Sequence, residues 1–120
     1  MYHITHNKEE GYIYLKTTES FTIKDVKVFL RDLVKHADEY QCNRMVIDHR
    51  GAEFKASVME INSIAKYLNS LGFGFKYLGA VVFDRDNEKY KSADAVSKNW
   101  SSSVLRFFDN IDEAKKWLLS

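Results

Sequence analysis

Apolar and polar positions along the chain divide it into short strands and amphipathic helices. Tyr2–Thr5 and Tyr12–Thr17 read as strands, and the polar, glycine-ended stretch Asn7-Lys8-Glu9-Glu10-Gly11 between them suits a hairpin. Thr22 then caps a helix reaching about Tyr40, with Ile23, Val26, Leu30, Leu33, Val34 and Ala37 as its buried stripe. Arg44–Asp48 is the next strand. Its Met45-Val46-Ile47 centre is apolar on both faces, so helices are expected above and below it. Ser57 stands where it would cap a second helix with a stripe of Val58, Ile61, Ile64, Ala65, Leu68 and Leu71, and Gly72 suits the exit. Tyr77–Phe83 follows as the most apolar run. A third helix is expected over about Asn87 to Asn99, with Tyr90, Ala93, Val96 and Trp100 facing inward. Strand Val104–Phe108 and a closing helix from Asn110 complete the chain.

The resulting order is β-β-α-β-α-β-α-β-α. Strands alternating with helices imply a mostly parallel sheet, here five-stranded, and the opening hairpin adds an antiparallel edge. The expectation is one α/β domain over residues 1–120 with helices on the faces.

Composition narrows the function classes. At 120 residues, 45% hydrophobic and 14% aromatic, the chain can bury one core without staples. Eighteen basic and 17 acidic residues give a net charge of +1, and they are interleaved, which speaks against nucleic acid as a partner. The lone Cys42 excludes an intramolecular disulfide and reads as a small apolar filler. With no signal peptide and no apolar run near the roughly 20 residues that span a bilayer, the expected location is the cytoplasm.

Candidate chemistry gathers at two strand ends, because ligands of open α/β sheets sit beyond the carboxyl ends of the strands. One strand ends in Asp48-His49-Arg50 and the next in Asp84-Arg85-Asp86, while Ser57 opens a helix whose free N–H groups favour an anion. Asp48 beside His49 has the composition of a base with its orienting acid. Adjacent strand residues face opposite ways, however, so a direct pair is not expected. Asp84 and Asp86 have the spacing of a Mg²⁺-binding carboxylate pair, but the small hydroxyl residue that phosphatases of that pattern carry is missing. The four histidines are dispersed, so no metal site and no cofactor are expected. Gly72-Phe73-Gly74 follows a helix, the reverse of a dinucleotide fingerprint, and reads as a turn.

The element order, the strand end Met45-Val46-Ile47-Asp48-His49-Arg50-Gly51 and the closing Val104-Leu105-Arg106-Phe107-Phe108-Asp109 to Glu113-Ala114-Lys115-Lys116-Trp117-Leu118 resemble the SpoIIAA-like family of bacterial STAS-type domains. The resemblance covers nearly the whole chain. It implies a non-catalytic domain that binds a protein partner in a regulatory switch. It also implies phosphorylation of a Ser or Thr opening the second helix, a position Ser57 fills. The region matching the family's Asp-Ser-Ser-Gly type motif reads Glu53-Phe54-Lys55-Ala56-Ser57-Val58-Met59 here, without the preceding acid or the following glycine, and Ser57 reads more simply as an N-cap.

The expected function is therefore a bacterial regulatory or protein-interaction domain, with Asp48, His49, Arg50, Phe54, Ser57, Asp84 and Arg85 as the binding surface. Phe54 would be either an apolar anchor for the partner or a lid on the core. A second reading is a carrier of a small apolar ligand or lipid held among Tyr12, Tyr14, Phe29, Phe73, Phe75, Tyr77 and Phe83. A third, weaker one is a metal-dependent hydrolase using Asp84 and Asp86. The opening strands leave an edge on which a homodimer could form.

Overall fold

A computed structural model describes residues 1–73, 76–85 and 105–120, apart from the side chains of 58, 61, 62, 65 and 69. Strands β1 (Tyr2–Asn7) and β2 (Tyr12–Thr17) form the expected hairpin. Gly11 closes its turn at φ +85°, a left-handed conformation that glycine adopts without a Cβ penalty. The chain continues through β3 (Ser20–Thr22), α1 (Ile23–Glu39), β4 (Arg44–Asp48), β5 (Glu53–Lys55), α2 (Val58–Leu71), β6 (Leu78–Val82), β7 (Leu105–Phe108) and α3 (Ile111–Leu119). The third helix expected from the sequence, with Asp86, Phe75 and Val104, lies outside the described residues.

The main sheet runs β1-β2-β4-β6-β7, with β1 antiparallel to β2 and every other pairing parallel. This is the five-stranded, mostly parallel sheet with an antiparallel edge that the pattern implied. The sequence reading missed a second, two-stranded sheet in which β3 lies parallel to β5 and sets Phe21 beside Phe54. Three-residue strands with one apolar position carry no periodicity of their own, so only the pairing creates them.

Each helix begins where its cap was expected. Thr22 accepts from the Asp25 N–H at 3.4 Å, and Asp25 accepts from the Thr22 N–H at 2.7 Å. Ser57 and Glu60 make the same reciprocal pair at 3.1 and 3.0 Å. Such boxes satisfy N–H groups that a helix start leaves free. Asn110 caps α3 through the Asp112 and Glu113 N–H groups.

The sheet separates two apolar layers. Ile13, Leu15, Met45, Ile47 and Val81 meet α1 and α2 on one face, through Val26, Phe29, Leu30, Leu33, Ala37 and Leu68. Val46, Ala80 and Val82 meet Ala114 and Leu118 of α3 on the other. Strand β4 is thus buried on both sides, as its sequence required. Among the described residues no helix is long and apolar enough to cross a membrane.

Candidate functional site

The end of β4 places two consecutive residues in opposite environments. Asp48 is fully buried and faces the α3 side. Arg50 curls back to donate to it twice, from Nε at 2.9 Å to Oδ1 and from Nη2 at 2.8 Å to Oδ2, and adds its own backbone N–H at 3.1 Å. The Tyr14 hydroxyl of β2 donates to Oδ2. Lys16, beside Asp48 in register, holds its Nζ 3.9 Å from Oδ1 and donates to the Arg50 carbonyl.

Burial by itself would raise the Asp48 pKa, but the donors from Arg50 and Tyr14 outweigh it and the carboxyl ends below its ordinary value. Its neighbours respond in turn. Burial and the Asp48 carboxylate push the Tyr14 hydroxyl up to about 12, and the hydrogen bond to Asp48 raises Arg50 further. The cluster is a carboxylate held charged by its own chain.

His49 points the other way. Its Nδ1 lies 2.7 Å from Oγ1 of the buried Thr17, and its backbone N–H donates to the Val82 carbonyl at 2.8 Å. The ring sits 4.7 Å from Phe21 and 5.6 Å from Phe29, while Phe54 stacks on Phe21 at 4.7 Å and 12°. This aromatic pile excludes water, and the burial drives the imidazole pKa down to about 3, against a smaller upward pull from Asp48. His49 is a neutral core residue at ordinary pH.

The surface expected from the sequence is thereby corrected in two places. Phe54 is the lid and not an exposed anchor, because β5 pairs with β3 and turns its ring inward. His49 is buried as well, against Phe21 and Phe29. The remaining residues divide. Asp84 comes to the Asp48 loop, where its Oδ2 accepts from the Gly51 N–H at 2.8 Å. Arg85 stands 80% exposed and bonds Asp109 at 3.1 Å. Ser57 is exposed and spends its hydrogen bonds on Glu60.

Sequence reasoning missed Lys16 and Thr17, and placed Tyr14 only among the aromatics of an apolar ligand site. A signal existed in Tyr12-x-Tyr14-x-Lys16, which sets amphipathic side chains on one face of a strand. Reading it as a site required knowing that β2 lies beside β4. Among the described residues no cluster of His, Cys, Asp or Glu could hold a metal ion. Cys42 is half-buried, with Sγ near the carbonyls of Gly11 and Arg44.

A separate open cleft of about 460 Å³ lies between the end of the hairpin and α1, lined by Met1, Tyr2, Thr17, Phe21, Val28 and Phe29 with Asp25 and Asp32 at its rim.

No family profile and no curated protein matches the chain. Among solved structures, an uncharacterised protein of the DUF3478 family with a SpoIIAA-like fold, from Shewanella loihica PV-4, superposes with a TM-score of 0.59. The match covers 98% of this chain and 92% of that one at 19% identity. The chain therefore has the SpoIIAA-like fold that its closing motif implied; identity at this level speaks to fold and not to activity.

Proposed function

We propose that this chain is a non-catalytic regulatory or protein-interaction domain. It would offer Arg50, Asp84 and Arg85 to a protein partner at the carboxyl ends of β4 and β6. One observation carries the reading. The groups that acid–base chemistry would need are committed inward, Asp48 to Arg50, Tyr14 and Lys16, and His49 to a dry aromatic pile. What faces solvent beside that cluster is the exposed Arg85 with the partly exposed Arg50 and Asp84, charges suited to electrostatic recognition.

In this reading Ser57 is a helix cap. The Glu60 carboxylate already occupies the start of α2, where a phosphate would sit, and would repel a second anion.

The test is a photo-crosslinking residue placed at Arg85 and, separately, at exposed Lys35 on α1, in cells of the native host. A single adduct of defined mass from position 85 and none from position 35 is expected. No adduct at 85, or the same adducts at both, would overturn the proposal. Mg²⁺-dependent turnover of a phosphate ester by the unaltered protein would overturn its non-catalytic part.

The cleft beside α1 supports a second reading, a carrier of a small apolar ligand. Tyr2, Phe21 and Phe29 give it an apolar floor. Native mass spectrometry of protein from its host would then show a reproducible excess that Val28→Trp removes. A bare mass from folded protein ends this reading.

A further inference from the structure

Among the described residues β1 is the outermost strand on its side of the sheet. The Thr18 N–H donates to the Met1 carbonyl at 2.9 Å, in the same register that sets Tyr2 against Thr17. Bonded and non-bonded pairs alternate along an antiparallel ladder. His3, Thr5 and Asn7 therefore exchange bonds with β2, and the N–H and C=O groups of Tyr2, Ile4 and His6 point away from the sheet.

Such a row is a template for another strand. Folded proteins ordinarily blunt it with a charged residue, a proline or a bulge. β1 reads Tyr-His-Ile-Thr-His-Asn, with none of these, and its six pairs to β2 run without interruption. We propose that the occupant of this edge is a second copy of the chain, pairing β1 antiparallel to β1 across a two-fold axis at Ile4.

The geometry selects this register. A two-fold axis normal to the sheet keeps each side chain on its own face, so opposed residues must share parity. Only the outward row of residues 2, 4 and 6 has groups to bond with. Centring on Ile4 uses all of it: Tyr2 faces His6 of the second copy and Ile4 faces Ile4, giving about six backbone hydrogen bonds at two per bonded pair. On the opposite face, His3 comes against Thr5 of the second copy.

The flanking helix agrees with that placement. The Tyr2 hydroxyl donates to Asp32 of α1 at 2.9 Å, while His6 stacks at 4.6 Å on Tyr40, which is 49% exposed beyond the helix end, one turn from His36. The two-fold axis sets the middle of one α1, at Asp32, toward the Tyr40 end of the other. The exposed Tyr40 ring gains cover there, while Asp32 keeps its own His36 at 3.4 Å.

Sedimentation velocity on the full chain tests this. The unaltered protein should sediment as a dimer of the 14.0 kDa chain at micromolar concentration. His3 and Thr5 are both exposed, so charges placed there leave the core alone. His3→Lys with Thr5→Lys sets like charges opposite each other across the axis and should weaken the dimer by about tenfold or more. His3→Lys with Thr5→Glu sets opposite charges there and should restore it. Circular dichroism confirms that both variants are folded. A monomeric parent, or a dimer indifferent to both charge pairs, would overturn the proposal.

Discussion

Asp48 and His49 are neighbours in sequence and both buried, yet one is held charged and the other neutral. The difference lies in what each face of the sheet supplies. On the α3 side, Arg50, Tyr14 and Lys16 converge on the carboxylate and more than offset its desolvation. On the α1 side, Phe21 and Phe29 pack on the imidazole, with the Thr17 hydroxyl at Nδ1, and desolvation prevails. Burial alone does not decide ionisation; the partners that come with it do.

The largest expected effect comes from opening the neutral side. Phe54→Ala removes the ring that stacks on Phe21 and should cost about 3–5 kcal/mol in urea unfolding, the usual price of emptying a buried phenylalanine site. A loss under about 1 kcal/mol would mean that the ring is not part of the core. Acid comes next. The folded-state pKa of His49 lies below its unfolded value, so the unfolded chain binds the proton first, and stability falls as pH drops from about 6.5 toward 3. The slope should reach about 1.4 kcal/mol per pH unit. His49→Gln should flatten it above pH 5, and an unchanged slope in that variant would place the effect elsewhere.

The charged side responds more asymmetrically. Arg50→Ala leaves a fully buried carboxylate with Tyr14, Lys16 and the backbone N–H of residue 50 but no guanidinium, and should cost about 2–3 kcal/mol. Asp48→Asn should cost less, about 1–2 kcal/mol, because Arg50 and Lys16 are partly exposed and can turn to water. Chemical denaturation of both variants compares the two directly, and equal losses would contradict the hub described here. The Asp48 contribution has the same sign with pH as that of His49. Its folded pKa is lowered, so its stabilisation is present above the ordinary carboxylate range and is lost as pH falls through that lowered value.

Much of the fold was legible in the chain. The apolar centre of Met45-Val46-Ile47 required cover on both faces, and Thr22, Ser57 and Asn110 marked helix starts to the residue. Gly72 ended α2 at φ +102°, where a Cβ would also press on Tyr77 at 3.2 Å. The small sheet was not legible. Glu19 turns the chain from β2 into β3 with φ +62°, a conformation its identity does not announce, and β3 and β5 gain meaning only from each other. The candidate site was legible only in part for the same reason. Asp48, Arg50 and Asp84 stood out as polar strand ends, whereas Tyr14 and Lys16 join them from 34 and 32 residues away.

The sequence by itself determined the order of elements, the caps, the apolar stripes and the parity that sets Asp48 and His49 on opposite faces. Those properties depend on neighbours a few residues apart, where period and capping chemistry act. Tertiary structure alone decided that Phe54 is a lid, that His49 is neutral and that Tyr14 and Lys16 join Arg50 at Asp48. Each of those outcomes depends on which distant strand lies alongside, and that is settled only when the sheet has closed.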